Sequence, residues 1–129
     1  MYSNTSLRAI IACVVAILGL AGQCQGQVLT SSGPCPGLQT FQVTGATPNG
    51  RVAFIHAAST GTWTIPFGVV CWGTTTGLSA PVTLAGFVPT NGSGAASANF
   101  TVPAALCNNR FLQAVDAIAC TTSNVILIQ

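Results

Sequence analysis

The chain has 129 residues, half of them hydrophobic, with only three Lys or Arg, one acidic residue and one His. So few charges exclude a nucleic-acid footprint, which needs clustered Lys and Arg. The high apolar share excludes an intrinsically disordered chain, and the length suits one domain rather than two.

Residues 4–8 are polar and singly basic, and residues 9–21 (AIIACVVAILGLA) are continuously apolar. That run has the length of a signal-peptide hydrophobic region and falls short of the ~20 residues a spanning helix needs. Small residues permit cleavage after Ala21 or after Gly26. Cysteine parity favours the second, because it leaves Cys35, Cys71, Cys107 and Cys120 without an odd thiol. The expected organisation is a signal peptide over residues 1–26, a leader over 27–36 and a β domain over 37–129. The mature protein is then secreted, extracellular or at the cell surface, with no membrane span.

From residue 27 onward the chain reads as short strands between turn signals, without helical periodicity. Residues 27–36 (QVLTSSGPCP) carry turn chemistry and no period. Residues 38–44 alternate, with Phe41 and Val43 on one face. Thr47-Pro48-Asn49-Gly50 is a turn, and residues 51–57 return with Val52 and Phe54 together. Residues 62–65 place Trp63 with Ile65, and residues 66–77 are irregular and rich in Gly and Thr. Residues 81–88 put Val82, Leu84 and Val88 on one face. Asn91-Gly92-Ser93-Gly94 is a second turn, after which residues 96–102 alternate again. Residues 111–119 are apolar on both faces, which predicts a central strand. Residues 124–129 contain Val125-Ile126-Leu127-Ile128, an apolar run without Lys or Pro to block edge pairing. These segments predict an all-β fold, an antiparallel two-sheet sandwich of about seven strands, with a small closed barrel as the alternative.

The four cysteines lack the close spacing of zinc knuckles, and secretion favours two disulfides. With six strands alternating up and down, Cys35 and Cys120 fall at one end and Cys71 and Cys107 at the other. The expected pairs are therefore Cys35–Cys120 and Cys71–Cys107, since bridged Cα atoms lie only about 4.4–6.8 Å apart.

The stretches CPGLQTFQVTGATPNGRVAFIHA, CWGTTTGLSAPVTLAG and NFTVPAALCNNRFLQAVDAIACTTSNVILIQ resemble small immunoglobulin-like β-sandwich modules of secreted bacterial proteins, often C-terminal in larger extracellular chains. The resemblance implies a fold and a compartment and assigns no activity.

Catalysis requires convergent titratable groups, and here His56 and Asp116 are the only His and the only acidic residue. No nucleophile-elbow Gly-x-Ser-x-Gly accompanies them, so no enzyme and no cofactor are expected. His56 reads as a hydrogen-bonded rim residue. Asp116 reads as paired with Arg51 or Arg110 or as capturing backbone N–H groups; a calcium site would ask for more carboxylates. Asn91-Gly92-Ser93 and Asn99-Phe100-Thr101 match the N-glycosylation pattern. Two functions follow. The first is a non-catalytic structural or adhesive module that self-associates through Val125, Ile126, Leu127 and Ile128. The second is a carbohydrate- or protein-binding module using Phe67 and Trp72.

Overall fold

The computed structural model describes residues 26–129, so the expected signal segment lies outside the described residues except for Gly26. The described chain is all-β. Its strands are β1 (Val28–Ser32), β2 (Gly37–Thr44), β3 (Arg51–Ala57), β4 (Thr60–Thr64), β5 (Thr75–Leu78), β6 (Thr83–Pro89), β7 (Ala96–Val102), β8 (Phe111–Asp116) and β9 (Ile126–Leu127), with one 3-10 turn at Ala104–Leu106. Three antiparallel sheets result, in the orders β1-β2-β7, β6-β3-β8-β9 and β4-β5. Among the described residues no helix is long and apolar enough to cross a membrane.

The first two sheets share a core. Leu29, Phe41 and Val43 from one sheet meet Val52, Phe54, Leu112 and Ala114 from the other. Phe100 stands between Phe41 and Phe54, with ring centroids 5.8 and 6.0 Å away. The four-stranded sheet is covered on its other face as well. There Ala53, Ile55 and Val115 pack against Ile65 and Leu78 beneath the β4–β5 hairpin. Burial on both faces explains the nearly unbroken apolar reading of β3 and β8, and β8 is indeed central.

Three expectations need correction. Residues 27–36 do not form a loose leader, because β1 pairs with β2 from Val28↔Thr44 to Ser32↔Thr40. On the open side of β1, the Asn124 carboxamide takes the place of a strand: its Oδ1 accepts from Leu29 N–H at 2.8 Å and its Nδ2 donates to Leu29 O at 3.1 Å.

The disulfides are Cys35–Cys107 and Cys71–Cys120, the reverse of the expected pairing, and none of the described cysteines is free. The reason is β5, hidden in the Gly- and Thr-rich stretch 66–77 and held there by buried Thr76 and Leu78. One additional strand inverts the up-down parity of everything after it. β8 therefore runs in the same direction as β2, which puts Cys120 at the end where Cys71 lies and Cys107 at the end where Cys35 lies. The bridges span sequence separations of 72 and 49 residues. By the chain-entropy relation each contributes about 4 kcal/mol.

The apolar segment Val125–Ile128 is packed inside the same chain. Ile128 is buried and, with half-buried Ile126, joins the core between the sheets. Val125 packs on the opposite face against the cluster under the hairpin, where its side chain lies against Gly77. The segment thus presents no exposed apolar row.

Asp116 fastens the remaining corner. Its side chain is 1% exposed and makes no contact with Arg51 or Arg110 as a salt bridge. Oδ2 accepts from Thr47 N–H and Thr47 Oγ1, both at 2.7 Å, and Oδ1 accepts from the N–H groups of Ile118 (2.8 Å) and Ala119 (3.0 Å). Four donors on two oxygens leave no geometry for a cation. From the other side, Thr90 Oγ1 donates to Thr47 O at 2.6 Å and accepts from Gly50 N–H at 2.7 Å. The turn that follows, Asn91 to Gly94, closes on Ala46: Ala46 N–H donates to Gly94 O at 3.0 Å, and a Cβ on Gly94 would overlap the Ala46 carbonyl.

Burial works to raise the Asp116 pKa and is the largest single influence. The donors of Ala119, the Thr47 hydroxyl, Ile118 and the Thr47 backbone together outweigh it, and the net pKa is lowered. The unfolded chain therefore takes up this proton first as pH falls. Its contribution to stability is complete above about pH 3.9, the unfolded value, and is lost as pH falls through the folded value. Asp116→Ala should lower the unfolding free energy at neutral pH by about 3 kcal/mol, through lost charge-assisted bonds and stranded donors. Urea unfolding as a function of pH should show that the variant has also lost the steep acid limb below about pH 4. Non-reducing peptide mapping should recover the Cys35–Cys107 and Cys71–Cys120 links, and a Cys35–Cys120 peptide would contradict the fold.

Candidate functional site

Between Ile65 and Thr74 the chain leaves the hairpin and loops over the outer face of the four-stranded sheet. Its only side-chain hydrogen-bonding group is the Trp72 indole N–H. The loop is nonetheless ordered from its ends. Ile65 N–H donates to Thr74 O and Gly73 N–H to Ile65 O, both at 2.9 Å, and inside it Trp72 N–H donates to Val69 O at 3.0 Å. Cys71 adopts a positive φ of 63° and Cys120 one of 57°. Non-glycine residues hold this left-handed conformation only where the surroundings over-determine it. Here the Cys71–Cys120 bridge does so, and it pins the loop to the turn after β8.

The pinned loop turns its apolar side chains outward. Phe67 is 79% exposed and Trp72 63%, and their rings meet edge to face at 83° with centroids 5.0 Å apart. Val69 and Val70 are exposed beside them. Phe67 and Trp72, the two candidate binding aromatics of the sequence, come together at the surface. Trp63, by contrast, lies half-buried against the cluster under the hairpin.

The loop forms one wall of a groove of about 130 Å³. Ala53, Ile55 and Val115 make the floor, Val69 and Val70 one side, and Leu84 and Phe87 the other. Leu84 is 51% exposed and Phe87 43%. These two residues were not foreseen together, because simple alternation places Leu84 with Val88. A bulge intervenes: the register slips between Phe54↔Gly86 and Ile55↔Leu84, so Ala85 is an extra residue in β6. Beyond the bulge the alternation inverts. Phe87 turns outward beside Leu84, while Val88 packs into the core between the sheets. Gly86, which follows the extra residue, is the sequence signal that a strand glycine gives for such a bulge.

The groove has no polar lining to speak of, and one cation borders it. The Arg51 guanidinium lies 4.6 Å from the centroid of the Phe87 ring, at cation–π distance. A volume near 130 Å³ is well under the ~300 Å³ at which drug-sized ligand sites begin. It is the size of a single side chain. Edge-to-face rings offer no shared flat platform for a sugar, and the loop supplies almost no donors or acceptors for hydroxyl groups.

The other candidates have structural employment. His56 Nδ1 accepts from Arg110 Nε at 3.2 Å, and burial, then the Arg110 charge, lowers the His56 pKa. The imidazole is therefore neutral at physiological pH. His56 faces Leu112 across the ladder and Asp116 faces Val52, four residues along β3 and roughly 13 Å away at strand rise. The two polar groups do not converge. Asn91 Oδ1 accepts from Ser93 N–H, Ser93 Oγ and Ala95 N–H, which builds the turn, and Asn99 Oδ1 accepts from Thr40 Oγ1 at 2.7 Å. Among the described residues no three His, Cys, Asp or Glu side chains gather to hold a metal ion.

Comparison of the chain with protein-family models, with curated proteins and with solved structures finds no match.

Proposed function

We propose that this chain is a secreted, non-catalytic binding module with an immunoglobulin-like sandwich fold, which adheres to an apolar protein surface through the Phe67–Trp72 loop. The strand order supports the fold. With β1, β2, β3, β7, β8 and β9 taken as strands A, B, C, E, F and G, the sheets read A-B-E and C-F-G, with β6 beside C. That is the division found in immunoglobulin-type domains, with the β4–β5 hairpin inserted after C. The chain departs from antibody domains in carrying no B–F disulfide and Phe54, not Trp, in the core of strand C. Secretion is supported by the apolar segment 9–21 and by four cysteines fully paired in two disulfides, the state expected of an oxidising compartment.

The observation that carries the binding reading is the outward display of Phe67, Val69, Val70 and Trp72 on a disulfide-clamped loop beside an apolar groove. Single exposed apolar residues are ordinary, as Val28 and Leu38 on the other sheet illustrate. A contiguous apolar patch marks a contact surface. The clamp also reduces the entropy lost on binding, since the loop is ordered beforehand.

The double variant Phe67→Ser/Trp72→Ser tests this reading. Both side chains are largely in water, so its unfolding free energy should stay within about 0.5 kcal/mol of the parent. Its retention on a phenyl-agarose matrix should nevertheless collapse. Unchanged retention would remove the loop as a contact surface, and Trp72-dependent depletion on an insoluble polysaccharide would replace the protein partner with a carbohydrate.

A further inference from the structure

We propose that the partner is a second copy of this chain, paired about a two-fold axis along the outer edge of β6. The inference rests on the binding reading above and names its partner.

β6 is the last strand of the four-stranded sheet, and among the described residues no strand pairs with its outer side. Such an edge presents unpaired N–H and C=O groups, and natural proteins blunt it with Lys, with Pro, with an inward-pointing charge or with a β-bulge. β6 reads Thr83-Leu-Ala-Gly-Phe-Val-Pro89, with no charged residue and with Pro only at its last position; of these devices it carries the single bulge at Ala85, which leaves Gly86–Pro89 as regular edge. Five of its seven residues are exposed. An antiparallel pair of identical strands is symmetric by construction, so each copy supplies the donors and acceptors the other lacks.

The side chains fit the same axis. Leu84 and Phe87 project from the outer face of β6 and would meet their counterparts across the new ladder, the kind of aromatic–aliphatic cross-strand contact that stabilises sheets. Val69 and Val70 line the groove beside them, and Phe67 and Trp72 lie on the same loop, exposed and in contact with each other. Together these six side chains expose on the order of 600 Å² of apolar surface per copy, taking an aromatic side chain as roughly 150–250 Å². Complete burial of all six in both copies would remove about 1,200 Å², which reaches the lower bound of a specific interface. Electrostatics offer no opposition. The nearest charge, Arg51, lies on β3 against Phe87 near one end of β6, so the antiparallel arrangement places the two guanidinium groups on opposite sides of the axis.

Sedimentation equilibrium from about 1 µM to about 1 mM tests the pairing. The parent chain should move from the mass of one chain to that of two, with a dissociation constant inside that range. Leu84→Lys, which sets two like charges beside the axis, should raise the dissociation constant at least 100-fold, and Phe87→Lys, made separately, should do the same. Leu38→Lys, on the other sheet, should leave it unchanged. A parent chain that stays single at about 1 mM, yet keeps phenyl-agarose retention dependent on Phe67 and Trp72, overturns the pairing and leaves the loop to a partner of different sequence. A single chain without such retention overturns both readings. A dimer that survives both β6 variants overturns the proposed edge.

Discussion

The Asp116 carboxylate is the one buried acidic group of the described chain, and the far end of the fold is organised around it. A charge taken out of water is tolerable only when its oxygens are fully hydrogen-bonded. Asp116 meets that condition by drawing in the corner at Thr47 and the turn at Ile118 and Ala119. The consequence propagates along the chain. The turn sets the position of Cys120, whose own N–H donates to Asp116 O at 2.9 Å. Cys120 holds Cys71, and Cys71 holds the loop that displays Phe67 and Trp72. A stabilising interaction in the interior therefore determines the geometry of the most exposed apolar surface.

The second constraint is the near absence of charge. A domain of this size ordinarily keeps itself soluble and separate with dispersed Lys, Arg, Asp and Glu. Here Thr, Ser, Asn and Gln perform the first task, and little performs the second. The four-stranded sheet has both faces covered, one by the sheet β1-β2-β7 and the other by the β4–β5 hairpin. The hairpin does not extend over the β6 side, where Leu84 and Phe87 remain in water. The apolar loop, the groove and the uncharged edge are contiguous, and that coincidence is the basis for reading them as one contact surface rather than three incidental exposures.

Much of this was legible in the sequence, and the failures have specific physical origins. Strands β2, β3, β7 and the central position of β8 follow from alternation and from apolar character on both faces. Phe67 and Trp72 were identifiable as surface aromatics because they lie in a loop rather than on an alternating strand. β5 was not legible, since Thr-Thr-Gly-Leu lacks a hydrophobic period and is recruited by tertiary pairing with β4. That single omission inverted the strand parity and with it both disulfides; the parity rule applied to the full set of strands gives the observed pairs. β1 was not legible because Leu29 is its one buried side chain and Ser31-Ser32-Gly33-Pro34 carries turn chemistry, so residues 27–36 show no period. The exposure of Phe87 depended on a bulge, whose sole sequence trace is Gly86.

The central claim is that the aromatic loop, which has hydrogen bonds of its own, depends for its order chiefly on the Cys71–Cys120 tether to the Asp116 turn. Amide hydrogen exchange, site by site, on the parent and on Cys71→Ser/Cys120→Ser tests it most directly. In the variant the Trp72 and Gly73 amides should lose at least about 100-fold in protection, while those in the middle of β3 and β8 should keep their protection relative to the variant's own global stability. Loop protection that persists without the disulfide would contradict it.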